Sequence, residues 1–278
     1  MKTSFNRLIR FKDPQGKVLY GEAPVDSDLV GKTVSVYTGD YPWDLSPSDA
    51  KAKVAEMLSP LPTTPFIYGI GLNYKHHIEE CGFPTPKYPT VFTKPPDALA
   101  GPFEDITVNK ECQATMDYEG ELTAIIGKDC KNIGPDEDPL DYVLGYTVGN
   151  DVSCRFWQTP ETSGNQHGYA KSFDKFAPLG PVIASTSMIP DPSKLQLKTT
   201  VNGEKRQSSS TGDLLFSVRD IIRHLSRGVT LRRGTAIMTG TPSGVAAFRK
   251  PPAWLHDGDV VEISISDIGS IKNKYVFE

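Results

Sequence analysis

Glycine and proline interrupt this chain so often that they limit the folds open to it. The 278 residues include 24 glycines and 23 prolines. Both residue types favour turns and are poorly tolerated inside helices. The sequence therefore predicts many short elements joined by turns, as in a β-rich fold, rather than a helical bundle.

Apolar runs typical of strands occur along the whole chain. The predicted strands are LIRFKD (8–13), KVLYGEA (17–23), TVSVYTG (33–39), ELTAIIG (121–127), YVLGYTVGND (142–151), LQLKTTVNG (195–203), TAIMTG (235–240) and DVVEISISDIG (259–269). The predicted helices are fewer: SPSDAKAKVAEML (46–58), a short turn around KHHIEE (75–80), and LLFSVRDIIRHLSRG (214–228), which ends at a glycine. Together these patterns indicate a mixed, β-rich α+β fold.

The proline-rich segment LSPLPTTP (58–65) has the composition of a linker. It predicts a small N-terminal β-rich domain, residues 1–62, before a larger body, residues 63–278. The first residues contain no apolar stretch of signal-peptide length, and the early Asp13 disfavours a mitochondrial transit peptide. Because no run approaches the roughly 18 apolar residues of a membrane helix, we expect a cytoplasmic protein.

Charge and cysteine spacing exclude several classes of protein. The 30 lysines and arginines against 34 aspartates and glutamates give a net charge of -4, without long blocks of one sign. Neither nucleic acid nor a membrane is therefore an expected partner. The cysteines lie far apart in the sequence and form no C-x-x-C pair, which argues against a zinc ribbon or a dense disulfide framework.

Three carboxylates are candidates for a metal site. In MDYEGELTAIIG (116–127) the twofold repeat of a strand places Glu119 and Glu121 on one face, and Asp151 follows a second apolar strand. Two ionised carboxylates at the edge of a core need a compensating cation or hydrogen-bond donors. An all-oxygen set suits Mg²⁺, Mn²⁺ or Ca²⁺ rather than zinc. The alternative is a solvated strand edge, which is the commoner setting for an isolated E-x-E.

His77 and Glu80 are candidates for a base and the group that orients it. Their i, i+3 spacing places them together on one helical turn, whereas His76 and Glu79 would face solvent. Such a pair can remove a proton from water or from a substrate. The alternative is a surface ion pair or a helix cap.

Cations and hydroxyls near these residues are candidates for substrate binding. Arg155 and Gln158 follow Asp151 closely, and a guanidinium fork suits a carboxylate. Lys171, in YAKSFDKFAPLGP (169–181), is either an anchor for an anionic substrate or an ordinary surface lysine. Thr241 lies in the turn TGTPSGV (239–245), directly after an apolar strand, where backbone amides can bind an anion.

In this order the motifs resemble those of the fumarylacetoacetate hydrolase family. From about Ile67 onward the resemblance is carried by GLNYKHHIEE, VFTKPPDALAGP, DYEGELTAIIG, GYTVGNDVSCRFWQ, AKSFDKFAPLGP, VNGEKRQ, IMTGTPSGV and DGDVVEISISDIGSIKN. Two departures are His76, where the family often has aspartate, and Phe156, where an acidic residue often follows the arginine. The resemblance implies a β-roll catalytic domain behind a small N-terminal domain, usually in a homodimer.

The resemblance also implies roles for the candidate residues. They are Glu119, Glu121 and Asp151 as ligands of Mg²⁺ or Mn²⁺ (with Ca²⁺ as a crystallisation substitute), His77 and Glu80 as the water-activating pair, Lys171 as a further catalytic group, and Arg155, Gln158 and Thr241 as substrate-binding residues. The expected reaction is hydrolysis of a C–C bond in a small anionic 2,4-dioxo acid, such as an acylpyruvate. One alternative is tautomerisation or decarboxylation of oxaloacetate at the same site, which the loop FRKPPAWLHDGD (248–259) favours by resemblance. A catalytically silent metal-binding scaffold is the other alternative.

Overall fold

Strands dominate the computed structural model, which describes residues 3–25 and 29–278. The strands are β1 Arg7–Lys12, β2 Val18–Glu22, β3 Thr33–Thr38, β4 Ser46–Lys53, β5 Glu56–Leu58, β6 Ile67–Gly71, β7 Thr90–Lys94, β8 Leu99–Ala100, β9 Ile106–Val108, β10 Met116–Asp117, β11 Gly120–Ile126, β12 Val143–Asn150, β13 Ser153–Cys154, β14 Ala177–Ser185, β15 Gln196–Val201, β16 Glu204–Ser210, β17 Ala236–Met238, β18 Val260–Ile265 and β19 Gly269–Phe277. The α-helices are short: α1 Lys75–Cys81, α2 Pro160–Ser163 and α3 Val218–Leu225. The β-rich α+β architecture expected from the sequence is confirmed.

The largest sheet has the strand order β4-β3-β2-β1-β14-β12-β11-β17-β6-β7, with β5 on β1 and β8 on β14. The sheet is mixed. Strands β17 and β6 run parallel, whereas the other neighbouring strands in this order run antiparallel. A five-stranded sheet has the order β16-β15-β18-β19-β9, and β10 pairs with β13. No helix within residues 3–25 and 29–278 has both the length and the apolar character needed to cross a membrane.

Strands β11 and β12 lie at the centre of the large sheet, and every residue of both is buried. Burial on both faces agrees with their largely apolar sequences, in which successive residues such as Ile125 and Ile126, or Val143 and Leu144, are apolar. Their antiparallel register pairs Glu121 with Gly149 and Gly120 with Asn150. The start of β11 therefore meets the end of β12, which brings two separate parts of the sequence to one edge of the core.

Gly149 allows the close approach of these strands. A Cβ atom there would lie 2.4 Å from Thr123 Oγ1 and 2.9 Å from Met238 Cε. Asp151, two residues further on, donates its backbone N–H to the carbonyl oxygen of Glu119 at 2.9 Å. The sheet thus fixes the spacing between the acidic residues of both strands.

The helix predicted over residues 46–58 is wrong, because this segment forms β4 and β5. The serine and aspartate near its start and its alanines and lysines favour a helix locally. Pairing overrides that preference: β4 lies beside β3, and Met57 of β5 lies opposite Phe11 of β1. Lys51 and Lys53 lie in β4, at the edge of the large sheet, where charged residues discourage pairing with another chain.

The other two predicted helices are confirmed, although α3 is shorter than its prediction. Helix α1 ends at Gly82, which has the left-handed conformation with φ 68°. Helix α3 begins with a capping box between Ser217 and Asp220. The N-terminal strands β1 to β5 are continuous with the large sheet through the β1–β14 pairing. The domain division at residue 62 stays a prediction.

Candidate active site

The three predicted metal ligands lie together at the edge where β11 begins and β12 ends. Glu119, Glu121 and Asp151 each offer a carboxylate oxygen within 4.8 Å of the others. All three are buried, with exposed fractions of 6%, 1% and 0%. A solvated strand edge is therefore excluded, and their charges need partners inside the protein.

Two buried lysines supply part of that compensation. Lys171 Nζ donates to Glu119 Oε2 at 2.9 Å, to Ser153 Oγ at 2.8 Å and to Asp151. Lys94 Nζ donates to Asp151, to the carbonyl oxygen of Phe176 at 2.6 Å and to that of Val152 at 3.3 Å. Asp151 is thus held between two ammonium groups. Because an ammonium carries three N–H donors, Lys171 uses all of them on protein acceptors.

Arg155 connects the acidic cluster to a fourth carboxylate. Its Nε donates to Asp117 Oδ2 at 2.8 Å, Nη2 to Glu119 Oε1 at 2.5 Å and Nη1 to Gln158 Oε1 at 3.0 Å. Asp117 also accepts the backbone N–H of Ala246 at 2.7 Å. Burial alone would raise the pKa of Glu119, but the charges of Lys171 and Arg155 lower it to about 2.

Glu121 differs from its two neighbours because no cation pairs with it among the described residues. Its Oε2 accepts one backbone N–H, from Gly240, at 2.7 Å. Burial, followed by the charges of Asp151 and Glu119, raises the pKa of Glu121 well above its ordinary range. A divalent cation would remove this imbalance. The oxygen-only donor set, free of cysteine and histidine, therefore fits a hard cation such as Mg²⁺ or Mn²⁺.

The His77–Glu80 pair is present with the predicted geometry. His77 Nδ1 lies 2.8 Å from Glu80 Oε2, and the imidazole is buried against Phe248 with ring centroids 5.7 Å apart. Glu80 Oε1 accepts the backbone N–H of Gly244 at 3.0 Å. The carboxylate is thereby anchored on one oxygen and orients the imidazole with the other. The side chain of His76 is 72% exposed, which confirms that it faces solvent.

A cavity of about 220 Å³ joins these groups. Six of the predicted site residues line it, namely His77, Glu119, Arg155, Gln158, Lys171 and Thr241. Glu80, Glu121 and Asp151 do not line the cavity. Glu80 contacts His77 and Asp151 contacts Lys171, both of which line it, and a carboxylate oxygen of Glu121 lies within 4.8 Å of one of Glu119. The nine residues predicted from the sequence therefore form one continuous site.

Thr241 is held in place by the VNGEKRQ motif. Its hydroxyl oxygen accepts Gln207 Nε2 at 2.8 Å, and the same amide nitrogen donates to the carbonyl oxygen of Pro242 at 2.8 Å. Gln207 Oε1 in turn accepts the backbone N–H of Gly120 at 3.0 Å. This glutamine therefore ties the loop after β17 to the strand that carries the acidic residues.

Four residues of the site were missed by the sequence analysis. Lys94 and Gln207 lie in motifs that carry the family resemblance. Lys94 is followed by two prolines, and these neighbouring residues do not indicate its contact with Asp151. Asp117 precedes Glu119 by two residues, so the twofold repeat of a strand was an available signal for it. His167, which lines the cavity, has no signal in its neighbouring residues.

Comparison with known proteins identifies the family of this fold and site. The family model described as fumarylacetoacetate (FAA) hydrolase C-terminal matches residues 66–276. The chain belongs to the fumarylacetoacetate hydrolase family. Members of this family typically depend on a metal ion, and the buried acidic cluster agrees with that property.

Relatives within the fumarylacetoacetate hydrolase family carry more specific names. "Oxaloacetate tautomerase fahd2, mitochondrial" from Xenopus laevis is 42% identical over 220 residues, which are 79% of this chain and 68% of that protein. Among solved structures, 2-hydroxyhepta-2,4-diene-1,7-dioate isomerase from Mycobacterium marinum has a TM-score of 0.81 at 31% identity, covering 98% of each chain. Fumarylacetoacetate hydrolase from Exiguobacterium antarcticum has a TM-score of 0.80 at 32% identity, covering 98% of this chain and 99% of that one.

Proposed function

We propose that this protein is a divalent-cation-dependent enzyme that interconverts the enol and keto forms of a small 2-oxo dicarboxylic acid of the oxaloacetate type. The observation that carries the proposal is the cavity of about 220 Å³ that brings Glu119 of the acidic cluster together with His77 of the dyad. This volume is below the roughly 300–1,000 Å³ of pockets for drug-sized ligands, so it suits a short acid. The names tautomerase and isomerase among the relatives support this reading over the hydrolysis expected first.

The acidic cluster would hold the cation through Glu119, Glu121 and Asp151. Such an ion, when bound, supplies Lewis-acid stabilisation of negative charge on the 2-oxo oxygen of the substrate. Lys94 and Lys171 hold the carboxylate of Asp151 in place, and the backbone N–H of Gly240 holds one oxygen of Glu121. These contacts set the positions of the ligand oxygens in advance of binding.

The His77–Glu80 dyad would move the proton. The carboxylate of Glu80 accepts a hydrogen bond from Nδ1, so it favours the tautomer in which Nε2 of His77 carries no proton and can act as a base. In the keto-to-enol direction Nε2 takes a proton from C3, the C–H electron pair forms the C2–C3 double bond, and the carbonyl π pair moves onto the 2-oxo oxygen. That oxygen takes a proton from solvent, and His77 releases the proton it removed to solvent. The reverse direction returns a proton to C3, so no atom is lost and no water is consumed.

Three residues remain available to orient the substrate. Arg155 uses three of the five N–H donors of a guanidinium on the protein, which leaves two for a carboxylate. Thr241 accepts a hydrogen bond from Gln207, so its own hydroxyl proton is free to donate. Gln158 Nε2 is buried without a partner among the described residues. Lys171 contributes its charge, while its donors hold the carboxylates and Ser153.

The test is the decay of oxaloacetate enol absorbance with purified protein supplied with Mg²⁺ or Mn²⁺. We expect acceleration over buffer, loss of acceleration after chelation with EDTA, and recovery when the cation is restored. Product analysis should return oxaloacetate rather than pyruvate. Undiminished turnover in the chelated sample would contradict the metal site, and enol decay at the rate of buffer would contradict tautomerase activity.

Hydrolysis of a C–C bond is a second candidate because the same dyad can deprotonate water. In that reaction water adds to the distal carbonyl of an acylpyruvate, the C3–C4 bond breaks, and its electron pair goes to pyruvate enolate, which takes a proton. The family membership and the Exiguobacterium antarcticum structure support this candidate. Release of pyruvate and a carboxylic acid from acylpyruvates, faster than enolisation of oxaloacetate, would favour it.

Assembly and compartment stay predictions. The homodimer implied by the family resemblance is checked by light scattering on the eluate of a size-exclusion column. We infer a small anionic 2-oxo acid, and neither nucleic acid nor membrane, as the partner of this site. The cytoplasmic expectation is checked by cell fractionation, since the Xenopus laevis relative is named a mitochondrial protein.

A further inference from the structure

The loop between Arg155 and Lys171 forms part of the cavity wall through Gln158, Asn165 and His167. It contains α2, which ends at Gly164 with φ 59°. The loop is held by its own polar contacts: Thr162 Oγ1 donates to the carbonyl oxygen of Phe156 at 2.5 Å, and Ser163 Oγ to that of Gln166 at 3.1 Å. These bonds give the end of the loop a defined path, and His167 from it lines the cavity.

His167 has hydrogen-bonding capacity that the protein does not use. Its side chain is partly buried, yet neither ring nitrogen has a hydrogen-bond partner among residues 3–25 and 29–278. Burial, and then the charge of Lys171, lower its pKa. A neutral imidazole offers one donor and one acceptor, and its donor can serve an anion that enters the cavity.

The polar groups that line the cavity fall into two sets. The cations are engaged with the acidic cluster, since Lys171 uses all three donors and Arg155 uses three on Asp117, Glu119 and Gln158. The second set is neutral and includes Gln158 Nε2 and the ring of His167, neither of which has a hydrogen-bond partner among the described residues. The rest of the wall includes the apolar rings of Phe92 and Phe248.

A dicarboxylic 2-oxo acid has two anionic ends, and the metal and Arg155 account for one of them. We propose that His167 is a specificity-determining residue whose imidazole N–H binds the distal carboxylate of such an acid, beside the amide of Gln158. This assignment rests on the proposed function. It predicts that the enzyme selects oxaloacetate over 2-oxo acids whose distal end carries no charge.

Two substitutions at this position separate hydrogen bonding from ring volume. His167→Phe keeps a ring and removes the donor, whereas His167→Gln keeps a donor on a side chain of different shape. Gln166→Ala is the matched control, because Gln166 lies on the same loop, is exposed and does not line the cavity. The substrates are oxaloacetate and its 4-methyl ester, which share the 2-oxo acid end and differ in distal charge.

For oxaloacetate, His167→Phe should raise KM by roughly ten- to hundredfold, the scale for losing a hydrogen bond to a charged group. The KM for the 4-methyl ester should stay unchanged, His167→Gln should recover part of the loss, and Gln166→Ala should match the wild type. An equal loss with acid and ester would show a structural role for His167. No loss with either would show that His167 does not contact the substrate. Each of these two results overturns the proposal.

A binding measurement tests His167 even if wild-type protein fails to accelerate enolisation. Calorimetry on Mg²⁺-loaded protein compares malate with lactate, which lacks the distal carboxylate. We expect wild type to bind malate more tightly than lactate, and His167→Phe to remove that difference without changing lactate binding. Equal affinity of wild type for the two acids, or the same preference in His167→Phe, would overturn the assignment independently of the reaction.

Discussion

The acidic cluster and the His77–Glu80 pair meet at one cavity but have very different supports. The acidic cluster lies at the ends of two strands that are buried along their whole length, and buried lysines brace it. Helix α1, which carries the dyad, has seven residues and no side-chain cap at its start. The two strands and the lysines fix the positions of the carboxylates but require charged groups to be buried. Helix α1 is short and partly exposed. Substitutions in the cluster should therefore change stability and metal affinity, and those in the dyad should change turnover alone.

The largest effect is expected for Asp151→Asn. This change removes the negative partner of two buried ammonium groups, and breaking a buried ion pair costs roughly 3–5 kcal/mol of unfolding free energy. Urea unfolding of the metal-free protein measures it. Asp138→Asn is the control, since Asp138 pairs with Arg219 at the surface and should cost about 0–1 kcal/mol. Equal losses in both variants would mean that Asp151 is not the centre of a buried charge network.

Glu121→Gln should act in the opposite direction on the metal-free protein. Because burial and neighbouring carboxylates raise the pKa of Glu121, its ionisation costs folded-state stability as pH rises above 4.5, the ordinary pKa of this group. The amide removes that cost, so urea unfolding at neutral pH should show equal or greater stability. Substitution of a residue that only orients a metal ligand typically lowers metal affinity by roughly 10- to 100-fold. Loss of the ligand Glu121 itself should lower Mg²⁺ affinity by at least that factor. Wild-type affinity by titration calorimetry would remove Glu121 from the ligand set.

His77→Ala should lower kcat by roughly a hundredfold or more, the usual scale for loss of a positioned general base. The unfolding midpoint and Mg²⁺ affinity should stay near those of the wild type, because the dyad makes no contact with Glu121 or Asp151. His76→Ala, on the same turn but facing solvent, is the control and should leave kcat unchanged. Near-normal turnover in His77→Ala would show that the pair is structural, and a large loss of metal affinity would contradict the separation of the two supports.

Arg155→Lys should have the smallest of these effects. A lysine cannot reproduce the planar guanidinium, which contacts Asp117, Glu119 and Gln158 together. The substrate carboxylate would therefore lose a donor that these contacts hold in a fixed orientation. We expect KM for oxaloacetate to rise by roughly tenfold, within the range for a charge-assisted hydrogen bond. Steady-state kinetics measures it, and an unchanged KM would mean that Arg155 serves only the protein.

How far the sequence predicts this molecule depends on how local each signal is. The dyad follows from an i, i+3 spacing, and β11 and β12 follow from apolar runs, so both could be predicted from single segments. The proximity of Glu121 to Asp151, thirty positions later in the sequence, needed the family resemblance as well, although the antiparallel pairing of β11 with β12 explains it afterwards.

The features that could not be predicted depend on contacts between distant segments. Lys94 meets Asp151 across 57 positions, and the pairing of β4 with β3 overrides a local preference for helix. Local propensity is weak beside tertiary pairing, so residues 46–58 follow the sheet. His167 lines the cavity because of the path of the loop before Lys171, which no short motif encodes.

The pairing of β1 with β14 has a consequence for shortening this protein. The family model begins at residue 66, yet β14 of the matched region is bonded through Leu8 and Arg7 to a strand outside it. A fragment that starts after the linker would leave part of an apolar, fully buried strand with open backbone groups. Such an edge recruits strands from other chains. Strand β1 thus covers an edge of β14 that such a fragment would expose.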